Sequence, residues 1–180
     1  MADRLVLVLG DQLDRGGAAF DGFDRGRDRV WMAEVAEEST HVWSRKPRTG
    51  MFLAAMRHFA LALQAAGRPL HYTRLDAPGN AGSLGAQLQA DTLRLRPARL
   101  VMSAPGDWRV LKAIQAVAEA NRLPLDVRED RHFFVTAREF AAHAKGRKSL
   151  RMEYFYRQQR KLHGVLMQGD GQSYEPAGGQ

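Results

Sequence analysis

Residues 5–12 read Leu-Val-Leu-Val-Leu-Gly-Asp-Gln, five aliphatic side chains in a row that stop at a glycine and two polar residues. A strand that alternates apolar and polar residues has one wet face. An unbroken aliphatic run has none, which is the pattern of a parallel strand covered by helices on both sides. Gly10 then lets the chain turn sharply at the strand's carboxyl end, where open α/β sheets bind their ligands, so Asp11 and Gln12 are delivered to a crevice.

The remaining elements follow outward from this strand. Residues 13–28 are rich in Gly, Asp and Arg and read as a loop with one helical turn; residues 29–35 form a second strand that also ends in acid, at Glu34, Glu37 and Glu38. Pro47 suits the first turn of a helix, and Met51, Phe52, Ala55, Met56, Phe59, Ala60 and Leu63 recur at helical spacing until Gly67. Residues 69–74 are a third strand. Leu84, Leu88, Thr92 and Leu95 mark a helix ending before Pro97, and residues 99–103 a fourth strand. Asp107 is placed to cap a helix over 108–120, and residues 125–128 close the sheet. The alternation predicts a doubly wound, five-stranded parallel, Rossmann-like sheet of order 3-2-1-4-5 with helices on both faces and right-handed crossovers.

Beyond Asp130 the pattern changes to a C-terminal helical extension, with helices over 133–144 and 149–162. Residues 164–180 hold Gly, Gln and Pro with little apolar content and are expected to be a disordered linker. The expected division is therefore 1–130, 131–163 and 164–180.

With 180 residues and 44% hydrophobic content, the chain is long enough for one sizeable core. No apolar run reaches the roughly 20 residues that span a bilayer, and no basic leader precedes the first strand, so a cytoplasmic protein without a membrane partner is expected. The absence of cysteine excludes disulfides and iron–sulfur or thiolate sites within these residues. A net charge of +7 favours a polyanionic partner without naming one.

The chemistry at the first strand end is not that of a dinucleotide or P-loop enzyme. Gly10-Asp11-Gln12-Leu13 matches neither glycine fingerprint, and the acids around it would repel a pyrophosphate. Glu34, Glu37, Glu38 and His41 form the densest polar cluster. Two readings stay open for it: acceptors for an uncharged heteroaromatic ring or ribityl chain, or a solvated loop with the acidic bias of a helix start. No His spacing supports a metal, and no serine sits in a nucleophile elbow. His58 and His71 read as structural. The run Lys145, Arg147 and Lys148, with Tyr154, Phe155 and Tyr156 interleaved before Arg157 and Arg160, could hold phosphates while rings stack, or could pack its rings on another domain.

Taken in order, Leu-Val-Leu-Gly-Asp-Gln-Leu (7–13), Glu-Val-Ala-Glu-Glu-Ser (34–39), Ala-Met-Arg-His-Phe-Ala (55–60), Tyr-Thr-Arg-Leu-Asp (72–76), Asn-Ala-Gly-Ser (80–83), Pro-Gly-Asp-Trp-Arg-Val (105–110) and Gly-Arg-Lys-Ser-Leu-Arg-Met-Glu-Tyr-Phe-Tyr-Arg (146–157) are similar to one family. They resemble the amino-terminal part of the bacterial photolyase-related proteins, the iron–sulfur cryptochrome and prokaryotic (6-4) photolyase group. That resemblance implies an antenna domain, with 6,7-dimethyl-8-ribityllumazine as its chromophore. It places FAD and a 4Fe-4S cluster in a following helical domain absent from these residues, and the parent's light-driven lyase chemistry on DNA there too. Carried over, the antenna crevice would use Gly10, Asp11, Gln12, Glu34, Glu38 and His41. The resemblance makes the long helix its wall, while Phe52, on that helix, is bulky enough to fill part of the pocket. The alternatives are a nucleic-acid-binding or domain-docking module with a vestigial, empty crevice, and a stand-alone nucleotide-binding α/β protein.

Overall fold

The protein is described by a computed structural model covering residues 2–42 and 44–167. Five strands, β1 (Arg4–Leu7), β2 (Arg29–Ala33), β3 (Leu70–Thr73), β4 (Arg99–Ser103) and β5 (Leu125–Arg128), form one sheet of order β3-β2-β1-β4-β5. Every pairing is parallel, with Leu5 opposite Arg29 on one side and Leu100 on the other. The chain divides into two compact units, Met1–Asp130 and Arg131–Gln180.

The unbroken aliphatic run has the cause its pattern suggests. Leu5, Leu7 and Leu9 pack with Trp31 against one face of helices, α3 (Leu84–Leu95) and α4 (Trp108–Ala120), through Leu88, Ile114 and Val117. Val6 and Val8 point the other way, onto Met56, Phe59, Ala60 and Leu63 of α2 (Lys46–Ala65). Each fully buried aliphatic side chain is worth ~1.5–3 kcal/mol, so the strand ties both layers together.

Local signals set the helix ends. Pro47 sits in the first turn of α2. Ser83 caps α3, its hydroxyl accepting from the Ala86 N–H at 3.3 Å, and Arg96 ends that helix in the left-handed region before Pro97. Asp107 caps α4 by accepting from the Arg109 N–H at 2.8 Å.

Several elements differ from expectation. The β1 ladder ends at Leu7, although the Val8 N–H still donates to the Trp31 carbonyl at 3.0 Å; beyond it the chain leaves the sheet to shape the crevice. Residues 36–40 form a short helix, α1 (Ala36–Thr40), with Glu37 and Glu38 in its first turn, where the helix dipole favours negative charge. In the second unit, α5 (Ala137–Ala144) starts four residues later than its apolar pattern, because Thr136 and Glu139 form a reciprocal capping box. Helix α6 (Met152–His163) starts after Arg151 and ends at Gly164, which has the positive φ of 64° that favours glycine. The expected linker lies outside the described residues from Gln168 onward. Among the described residues, no helix is long and apolar enough to cross a membrane.

Candidate functional site

In a sheet of this order the chain reverses its direction of winding at β1, and the crevice outside the strand ends at that point is where such folds take ligands. Here it is bounded by Leu9, Gly10 and Asp11 after β1, by Glu34, Val35 and Glu38 after β2, and by Pro105 and Asp107 after β4. Phe52, Leu53 and Met56 of α2 form its wall. These come from four separate stretches of chain, brought together by the parallel sheet and by the packing of α2 on its face.

Two features give the crevice its shape. The first is Gly10: a methyl group built there would stand 2.6 Å from Cε1 of Phe52 and closer still to Cζ, so the Phe52 ring lies where a side chain would otherwise begin. The second is its size. The enclosed space is about 40 Å³, room for roughly two or three waters. A bicyclic ring fits only if Phe52 turns away; that side chain is 37% exposed on the first turns of α2, so solvent is open to it.

The mouth is acidic. Burial pushes the Glu38 carboxyl above its ordinary range; Arg109 opposes this, while Glu37, Asp107 and Asp11 add to it. Asp107 is held below the usual range by its hydrogen bond from Arg109 and by the Arg109 backbone N–H. Such a rim offers acceptors to hydroxyl and ring N–H groups and repels phosphates.

Glu34 does something different from its neighbours. Its carboxylate is buried and accepts four hydrogen bonds: from Nε and Nη2 of Arg57 at 2.8 Å each, from the Leu75 N–H at 2.8 Å, and from the Tyr72 hydroxyl. Burial alone would raise this carboxyl, but the bonds from Arg57, Tyr72 and Leu75 outweigh it and hold the group at about 2. The Glu34 carbonyl also accepts from Asn80 Nδ2 at 2.7 Å. The residue thus fastens β2 to α2 and to the loop after β3.

The sequence matches the family model for deoxyribodipyrimidine photo-lyase-related proteins over residues 6–180. The chain belongs to this family. It is 41% identical over 177 residues to a protein described as "(6-4) photolyase" in Agrobacterium fabrum, an alignment covering 98% of this chain and 34% of that protein. This photolyase-related chain therefore spans about a third of the length of the curated relative it matches.

Within the photolyase-related domain, the structure gathers Gly10, Asp11, Glu38 and Phe52 at one crevice. Glu34 borders it, but its acceptor positions are taken, so it is a poor ligand contact and a good scaffold. Gln12 turns away, its Nε2 donating to the Ala104 carbonyl at 2.8 Å and tying the β1 and β4 ends together. His41 ends α1 as an exposed residue, near enough to Asp107 to lower its carboxyl. Lys145, Arg147 and Lys148 belong to the other unit, in the turn after α5, where Arg147 Nε donates to the His143 carbonyl at 2.7 Å.

Reading the residues in order missed Asp107 as a rim acid, having assigned it only as a cap, and missed Arg57 altogether. Arg57 stands among apolar positions of α2, between Met56 and Phe59. Its side chain is 39% exposed, so nothing in the sequence pattern marked it as the partner of a buried acid.

Proposed function

We propose that this photolyase-related domain harvests light for a flavin held elsewhere in a photolyase-length protein that acts on DNA, by binding a ribityl-bearing heterocycle such as 6,7-dimethyl-8-ribityllumazine in the β1–β2–α2 crevice. The observation that carries this reading is the bare backbone at Gly10, set at the switch point of the sheet among Asp11, Glu38 and Asp107. Gly10 admits a flat ring close to the main chain once Phe52 has swung into solvent. Asp11 and Glu38 then accept from ribityl hydroxyls, and Leu53 and Met56 cover the ring's apolar edge. The chromophore, when bound, supplies absorption in the near-ultraviolet and blue; this chain's residues orient it and keep water from it. No residue here could ligate an iron–sulfur cluster through thiolate, since the sequence has no cysteine.

The test is a fluorescence titration of the 180-residue chain with the ribityllumazine. Saturable binding in the micromolar range supports the reading, and none for either the native chain or Phe52→Ala overturns it. A second reading, a docking module with a closed crevice, is favoured by the Phe52 ring itself. It predicts that the native chain binds no chromophore while Phe52→Ala admits it only weakly.

A further inference from the structure

The second unit has an unusual economy. Among described residues 131–167 no apolar side chain is buried; α5 has no buried residue, and in α6 only Arg160 is. What holds the helix pair is a ring cluster, Phe155 edge-on to Phe140 at 5.2 Å and against His143 at 4.7 Å, with Phe134 against His163 at 4.9 Å. The rings leave an apolar groove of about 440 Å³ beside them, with Phe133, Met152 and Tyr156 on its sides. Those three are 68%, 70% and 56% exposed. Gln159 lines the same groove, and its Oε1 is buried with no hydrogen-bond partner. A buried acceptor left unpaired costs ~1–3 kcal/mol, and a sizeable exposed apolar surface marks a binding face.

We propose that this groove is the docking surface for the part of a photolyase-length polypeptide that the present chain does not match, entered by a large side chain ending in an N–H or O–H donor, Trp or Tyr, from an acidic segment. The groove's dimensions suit such a group, and Gln159 Oε1 supplies the acceptor its tip requires. Acidic character follows from charge: residues 131–167 carry nine Lys and Arg against two Glu. The source follows from coverage, because this chain aligns with only 34% of the matched photolyase. A nucleic acid fits the groove less well. The guanidinium on its lining, Arg160, is engaged with the carbonyls of Val165 at 3.0 Å and Leu166 at 2.6 Å, and Met152 and Val165 offer nothing to a phosphate. The inference does not depend on whether the crevice of the first unit binds a chromophore.

The experiment is side-chain footprinting of Phe133, Met152 and Tyr156 by a diffusible carbene. It compares the 180-residue chain with a chimera in which that chain replaces the matching third of the Agrobacterium fabrum photolyase. Labelling of the three residues in the chimera should fall to about a tenth of that in the chain alone, as expected for the core of a protein interface. A Phe133→Ser/Met152→Ser chain, altered only at exposed positions, should keep its far-ultraviolet circular dichroism, and its chimera should lose thermal stability relative to the unaltered chimera. Equal labelling in chain and chimera overturns the proposal. So does protection already present in the dilute chain, protection of the chain that grows with its own concentration, or protection conferred by duplex or single-stranded DNA. A chimera that fails to fold where the Agrobacterium parent folds overturns it too.

Discussion

The ring of Phe52 and the bare Cα of Gly10 meet across the crevice, with Sδ of Met56 closing the third side, 2.9 Å from where a Gly10 methyl would stand. Gly10→Ala therefore has to expel the ring or shift α2. Overpacking of this kind costs ~1–3 kcal/mol, which a urea unfolding curve will read as a lowered midpoint at unchanged slope.

Phe52→Ala acts on the same contact in the opposite sense. The side chain is partly exposed, so the loss of stability should be about 1 kcal/mol, well below that of a core phenylalanine. Ribityllumazine affinity should rise about tenfold, equivalent to ~1.4 kcal/mol no longer spent on displacing the ring. A fluorescence titration of native and variant chains side by side measures it; equal affinities would mean that the ring does not compete with the ligand.

The acidic mouth should sort ligands by charge. Riboflavin and its 5′-phosphate differ by one phosphate, and binding should favour the uncharged form. Glu38→Gln should narrow that preference by about two- to fivefold, the worth of a partly solvated charge pair. Because the Glu38 carboxyl is raised above its ordinary range by burial and by Glu37, Asp107 and Asp11, the native preference should also shrink as the pH falls toward that raised value. The variant should show a smaller trend, left by the remaining rim acids and by the ligand phosphate's own second ionisation at pH ~6.

Glu34 gives the acid limb of stability a specific source. Its carboxyl stands at about 2 in the folded chain against an ordinary 4.5, so its contribution is fully present above about 4.5 and is lost as the pH falls through about 2. Arg57 is 39% exposed on its side chain, and solvent screening reduces the effect to roughly 2 kcal/mol. Chemical denaturation across that pH range should show the decline in the native chain. Glu34→Gln, less stable at neutral pH by ~2–4 kcal/mol because the charge is lost and the amide NH2 faces a donor of Arg57 together with either the Tyr72 hydroxyl or the Leu75 N–H, should show a flatter profile.

Lys145, Arg147 and Lys148 predict a salt-dependent affinity for DNA. If all three reach phosphates, replacing them with alanine should lower the magnitude of the slope of log affinity against log salt by about 2–3, since each phosphate contact on duplex DNA contributes roughly 0.9. Fluorescence anisotropy over a salt series is the measurement, and an unchanged slope would assign these residues to solvent.

The order of strands, the two-faced burial of residues 5–9 and the cap at Asp107 were all legible in the sequence because each follows from a residue pattern, an aliphatic run or an N-terminal oxygen; the Ser83 cap of α3 emerged only in the structure. Gly10 and Asp11 could be assigned to a crevice for the same reason, since a strand end in a parallel sheet has one place to go. The partition of the acids was not legible. Glu34 and Glu38 stand four residues apart in similar surroundings, yet one faces Arg57 from a helix that begins twelve residues later and the other faces solvent at the mouth. Nor could the chain order show that Gln12 spends its amide on Ala104, or that the Phe52 ring rests on Gly10. Sequence determined which residues arrive at the rim of the sheet; tertiary packing decided which of them have an atom left for a ligand, because a side chain's free valence depends on partners brought near only by the fold.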